Sequence, residues 1–180
     1  MTPHDIDTAA RALFEAERTR RQIGLLSLAH PAMTLDDAYA VQAALVELKR
    51  AAGARIVGWK IGLTSRAMQE ALQIETPDSG VIFDDMLFED GGTVPAGRFI
   101  QPRIEAEIAF HMGADLAGVN VTREDVIAAT DWVAPSLEIL DTRILRVDPV
   151  TKALRKVTDT ISDNAANAGL VLGQARHAIG

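Results

Sequence analysis

The chain contains no cysteine, which excludes disulfide frameworks, thiolate zinc sites and cysteine nucleophiles together. Any metal is left to oxygen or imidazole ligands. It also lacks an uncharged apolar run long enough to span a bilayer, and the N-terminal MTPHDIDTAARALFEAERTRRQ is charged and amphipathic without the apolar centre of a signal sequence. A soluble, cytoplasmic protein without a membrane partner is the expectation. Positive charge is in deficit: 18 Lys and Arg stand against 25 Asp and Glu, a formal net charge of -7 with pI near 5.0. A polyanion partner needs a net basic face, so no nucleic acid is expected. The basic run Arg18-Thr19-Arg20-Arg21 is the kind found on solvated helix faces. Phosphate-cradling patterns, internal repeats and low-complexity segments are absent as well.

What is present is one domain's length, 180 residues with 48% hydrophobic and 24% charged, enough for a sizeable core. Ile6, Ala9, Ala10, Leu13 and Phe14 recur at helical spacing and predict an amphipathic helix over about 5–28. Thr34 with Asp37 forms a capping box, Ala38, Val41, Leu45 and Leu48 make one stripe, and Gly53 closes a second helix. From Ala54 the character changes. ARIVGWKIGLTS is β-rich, Ser65 caps a short helix through Leu72, the loop ETPDSG follows, and VIFDDMLF and 99–112 read as strands. Thr122 starts a helix to Ala129. WVAPSLEIL (132–140) is strand-like, with Pro135 pointing to an edge or a bulge. The stretch 141–160 reads as polar and turn-rich, and ISDNAANAGLVLG (161–173) passes from small residues to an apolar run. Helices first and irregular strands afterwards predict an α+β fold, with a helical N-terminal region over 1–53 and a mixed β-rich domain over 54–180. No closing element follows QARHAIG, so the core is expected to be incomplete at the C-terminus.

The segment RIEAEIAF (103–110) sets Glu105 and Glu107 on one strand face and Ile104, Ala106 and Ile108 on the other. Two inward carboxylates repel unless a cation joins them, but on a half-exposed strand an E-x-E pair faces water at no cost, and that is the commoner case. Glu138 adds a third acid inside the apolar run SLEIL. Three carboxylates without cysteine would suit a hard cation such as Mg²⁺ or Mn²⁺ better than zinc. His111 shares the parity of the two acids but lies near the strand end, as a surface or capping residue would. Lys60, between Trp59 and Ile61, fits either a desolvated proton carrier or a snorkelling structural lysine. Asp78 fits a turn, and Ser162, Asp163 and Asn164 fit a helix start.

Five blocks in order, GWKIGLTS (58–65), ETPDSGVIFDDM (75–86), RIEAEIAF (103–110), APSLEILDTR (134–143) and DTISDNAANAG (159–169), resemble the hydratase and decarboxylase branch of the fumarylacetoacetate hydrolase superfamily. The resemblance spans nearly the whole chain. It implies a fumarylacetoacetate-hydrolase-like core whose family members continue well past Gly180, so the chain reads as a C-terminally truncated member. It implies that Glu105, Glu107 and Glu138 hold Mg²⁺ or Mn²⁺, that Lys60 and Asp78 are catalytic, and that Ser162 contacts substrate. It implies a lyase of aromatic meta-cleavage catabolism that adds water to a 2-oxo or 2-hydroxy dienoate diacid, with a 4-oxalocrotonate-type decarboxylase using the same metal, or a hydratase of 2-oxopent-4-enoate, as the alternatives. A basic group within the insert 146–156 would meet the distal carboxylate of such a diacid. The resemblance further implies a homo-oligomer, with a non-catalytic partner chain as the reading from another class.

Overall fold

The computed structural model describes residues 1–72 and 77–179. Helix α1 (Pro3–Thr19) begins at a capping box in which Thr2 and Asp5 satisfy each other's backbone N–H, with Pro3 in the first turn where its missing N–H costs nothing. The single helix expected over 5–28 is broken: Arg20 adopts a left-handed conformation (φ 56°) and returns its N–H to Ala16 and Glu17, and a short α2 (Leu26–Ala29) follows. Helix α3 (Leu35–Ala51) starts at the Thr34–Asp37 box. Ala9, Ala10 and Leu13 of α1 interlock with Val41 and Leu45 of α3, and Leu25, Leu26 and Ile144 complete that core.

The strands form two sheets. β1 (Ile56–Gly62) pairs antiparallel with β2 (Asp78–Phe83), and α4 (Arg66–Leu72) leaves the end of β1. Val81, Ile82 and Phe83 of β2 turn inward with Val46 and Met86. VIFDDMLF is not one strand: a 3-10 turn over 84–86 separates β2 from β3 (Leu87–Phe88). The second sheet has the order β3-β6-β5-β4, made by β4 (Arg103–Met112), β5 (Thr130–Leu140) and β6 (Asn167–Leu172). It is mixed, because β3 runs parallel to β6 while the other pairs are antiparallel. Helix α5 (Arg123–Ala129), capped by the Thr122–Asp125 box, leads into β5. This is the α+β arrangement that the order of helices and strands predicted.

Packing departs from the sequence reading at Pro135 and leaves one face of β4 open. β5 is an interior strand, although Pro135 pointed to an edge. Val133 exchanges hydrogen bonds with His177, and the Pro135 carbonyl accepts from Gly173 at 2.9 Å, so the missing proline donor faces the gap where β6 has just ended. β4, in turn, lends no face to a core. Its apolar side stays open, with Ile104 and Ile108 both 66% exposed and Phe110 49%, because nothing among the described residues packs on that face.

The polar stretch 141–160 hides helix α6 (Val157–Ser162), whose start is held by Asp159 accepting from the Lys156 N–H at 2.9 Å. α3 and α6 are tied through Gln42, which donates to the carbonyls of Ser79 (2.8 Å) and Ile161 (3.0 Å). No helix among the described residues is long and apolar enough to cross a membrane.

Candidate metal centre

The register of β4 on β5 sets Glu105 directly opposite Glu138 and Glu107 opposite Ser136. Opposed residues of an antiparallel pair share a face, and so do residues two apart along one strand. The three carboxylates therefore converge, with one oxygen from each within 4.8 Å of the others. Their environments differ. Glu105 and Glu107 are exposed, whereas Glu138 is buried and its Oε1 has no hydrogen-bond partner. Burial, reinforced by the charges of Glu105 and Glu107 and only partly offset by Lys60, pushes the Glu138 carboxyl up to about 7. A buried, unsatisfied carboxylate oxygen aimed at two further carboxylates is a donor set that a hard divalent cation fits, since the ion would replace both the missing partner and the missing counter-charge.

β1 delivers Lys60 to the same place. Its Nζ lies 3.5 Å from Glu138 Oε1, an ion pair too long for a good hydrogen bond, and 3.5 Å from the carbonyl oxygen of Ala165. Asp78 opens β2 opposite Gly62. It is buried, its Oδ1 has no hydrogen-bond partner, and burial raises its pKa against the pull of Lys60. Gly62 makes the approach of Asp78 and Lys60 feasible: a Cβ there would overlap Asp78 Oδ1 and sit 2.8 Å from Lys60 Nζ.

Ser162 is placed differently. Its hydroxyl is fully buried and donates to the Thr158 carbonyl at 2.8 Å within α6. The polar residues around it are structural ties. Asp163 holds the buried Arg143 guanidinium and accepts from the Arg143 backbone N–H. Asn164 exchanges hydrogen bonds with both backbone groups of Val81 in β2, at 2.7 and 2.8 Å. Asn164, Ala165 and Ala166 are consecutive left-handed residues (φ 53°, 52°, 58°), a conformation L-residues adopt at a cost and hold only where the surroundings enforce it. Gly80 leaves room for this turn, because a Cβ there would meet the Asn164 carbonyl oxygen at 2.5 Å. The turn presents the Ala165 carbonyl to Lys60, a contact that residue types alone did not signal beyond the Asn and small-residue content of NAANAG. His111 stacks on Trp132 at 4.4 Å and faces Asp131 on the surface. Glu75 and Thr76 of the ETPDSG block lie outside the described residues.

Fold and site together define an α+β protein with a mixed sheet and an all-oxygen carboxylate centre beside a lysine. No family model matches the chain. It is 52% identical over 170 residues to the 2-oxo-hept-4-ene-1,7-dioate hydratase of Escherichia coli, covering 94% of this chain and 64% of that protein. It is 38% identical over 162 residues to a 2-hydroxypent-2,4-dienoate hydratase of Pseudomonas putida, covering 89% of this chain and 70% of that one. The solved structure of 4-oxalocrotonate decarboxylase from Pseudomonas putida G7, complexed with magnesium and adipate, superposes with a TM-score of 0.90 at 34% identity over 99% of this chain and 65% of that chain. The chain belongs to the dienoate hydratase family, in the hydratase and decarboxylase branch of the fumarylacetoacetate hydrolase superfamily. It spans just under two thirds of the length of the Escherichia coli relative.

Proposed function

We propose that this chain carries the metal centre of a hydratase that adds water to 2-oxohept-4-ene-1,7-dioate or a close dienoate diacid in aromatic meta-cleavage catabolism. The observation that carries the reading is the buried, unpartnered Glu138 oxygen facing Glu105 and Glu107. Supporting it are the 52% identity to a hydratase of that name and the magnesium and adipate held by the superposing decarboxylase.

Glu105, Glu107 and Glu138 would hold Mg²⁺ or Mn²⁺. A cation so held supplies Lewis acidity, stabilising negative charge that develops on the oxygen of a 2-oxo acid. Lys60 and Asp78 hold and move protons: the ammonium beside Glu138 Oε1 can donate, and burial keeps the Asp78 carboxyl nearer to proton exchange than a surface aspartate. A homo-oligomer is part of the same proposal; a second copy, like the further third of the relatives' length, would cover the open apolar face of β4 and the exposed Val57, Trp59 and Ile61 of β1.

The test is ultraviolet spectroscopy of the purified chain with Mg²⁺ and the dienoate diacid, following loss of the conjugated chromophore and identifying the product by mass. Gain of one water is the expected result. Loss of carbon dioxide favours the decarboxylase reading, which the superposition with a decarboxylase supports, and no change beside an active relative favours a non-catalytic partner. Glu105→Ala and Glu138→Ala are expected to abolish Mg²⁺ binding, while Lys60→Ala binds Mg²⁺ and loses turnover. Retained Mg²⁺ affinity in both glutamate variants would refute the site.

A further inference from the structure

Asp78 is the first residue of β2 and pairs with Gly62, the last residue of β1, so it stands at the end of a two-stranded ladder. Two strands alone are marginally stable in water, and β1 is too exposed to hold its partner by packing. Yet Asp78 is buried with an oxygen that has no hydrogen-bond partner, and a carboxylate so placed gains by swinging out to water. The edge of β2 that β1 leaves free must therefore fix the strand.

Among the described residues no third strand lies on that edge, and buried amide side chains take its place. Backbone groups two residues apart point to the same side of a strand, as those of Ser79 and Val81 do. Asn164 holds Val81 through both its N–H and its carbonyl, at 2.7 and 2.8 Å, and Asn167 donates to the same carbonyl at 3.0 Å. Ser79, next to Asp78, is held by Gln42, whose Nε2 donates to its carbonyl at 2.8 Å. Gln42 is buried in α3 beside Val41, itself locked into the helical core. Its second amide hydrogen goes to the Ile161 carbonyl at 3.0 Å, one of the last-turn carbonyls that α6 cannot satisfy within itself. α6 runs into the left-handed turn that brings the Ala165 carbonyl oxygen to 3.5 Å from Lys60 Nζ. One amide thus spaces the two arms that meet at Lys60, β2 with Asp78 and α6 with Ala165.

We propose that Gln42 is a positioning residue, which from the helical N-terminal region sets the Asp78 carboxylate against Lys60 beside the Glu105–Glu107–Glu138 centre. This rests on the hydratase reading, in which Lys60 and Asp78 move protons, and extends the machinery to a side chain that touches neither substrate nor metal. Both partners of Gln42 are carbonyls, so only a donor with two hydrogens serves. A glutamate of the same shape would turn oxygen toward oxygen, and a methionine would fill the space without donating. A group displaced by about 1 Å from its reacting partner can cost on the order of a hundredfold in rate.

The test compares Gln42→Glu and Gln42→Met with Val41→Ala, which loosens the core between α1 and α3 without touching β2. Circular dichroism confirms folding, calorimetry gives Mg²⁺ affinity, turnover is followed with the dienoate diacid, and amide exchange is read by mass spectrometry. Both Gln42 variants are expected to bind Mg²⁺ as the parent does and to lose kcat about tenfold or more with KM within about twofold. Their amides should exchange faster over 78–83 while 130–140 stays protected. Val41→Ala, despite a lower urea midpoint, should keep the parent's kcat. If only one Gln42 variant folds, its kcat decides. Parent kcat in the Gln42 variants, an equal loss in Val41→Ala, or unchanged exchange over 78–83 overturns the assignment of Gln42 and leaves the hydratase reading standing. Failure of the parent chain to turn over the diacid overturns the hydratase reading and this proposal with it.

Discussion

Replacing Glu138 by glutamine keeps the side chain's shape and removes its charge, and the structure fixes the sign and size of the consequence. Burial and the neighbouring Glu105 and Glu107 raise the Glu138 carboxyl from 4.5 to about 7 in the folded chain. Below pH 4.5 the group is protonated folded or unfolded, and no penalty exists. Between 4.5 and about 7 the folded state keeps a proton that the unfolded state has released, so stability falls as pH rises through this window. Above 7 the whole penalty is present, about 3 kcal/mol. The Glu138→Gln variant never incurs it, and its amide oxygen can still face Lys60. In chelator, the variant should therefore be the more stable chain at pH 8 by up to about 3 kcal/mol, or about 6–12 °C in Tm, with little gain at pH 5. Urea unfolding followed by circular dichroism at the two pH values measures this. Mg²⁺ should reverse the order at pH 8, since it stabilises only the chain with the complete carboxylate set. A gain of equal size at pH 5 and pH 8, or no gain at pH 8, would refute the account of Glu138 as a buried, strained acid.

Parent Mg²⁺ affinity should rise with pH until about 7 and then level, because the ion competes with the proton on Glu138; isothermal titrations from pH 5.5 to 8.5 measure the curve, and a flat one would exclude Glu138 as a ligand. Gly62→Ala should displace Asp78 and Lys60, since its new methyl overlaps Asp78 Oδ1 and approaches Lys60 Nζ; turnover should fall at least tenfold while the urea midpoint moves little, β1 being the exposed strand of its pair. Asp163→Asn should cost about 3–5 kcal/mol in urea, because it leaves the Arg143 guanidinium buried without its ion-pair partner.

What the sequence made legible was local. The boxes at Thr34–Asp37 and Thr122–Asp125 close within four residues, and the parity of Glu105 and Glu107 follows from the pleat alone. Which strand lies beside which is decided elsewhere. Alternation separated the acidic from the apolar face of β4, yet it could not say that nothing among the described residues covers Ile104 and Ile108. The polar stretch ending in ISDN misled for the opposite reason. Its acids and amides look like turn residues, but Asp159 reaches Ser27, Asp163 reaches Arg143 and Asn164 reaches Val81, partners 20 to 132 positions away.

Those distant ties bear directly on the chemistry. Asn164 clamps β2 at Val81, three residues from Asp78, and the left-handed turn that it begins carries the Ala165 carbonyl to Lys60. Asp78, Lys60 and Glu138 thus arrive from three strands at one point, where Asp78 and Glu138 are buried with unpartnered oxygens and Lys60 is half-buried between them. Charges left so poorly matched destabilise the metal-free fold, as the raised Glu138 carboxyl records. A cation and an anionic substrate would relieve the same mismatch, so the energy withheld from folding is returned as binding.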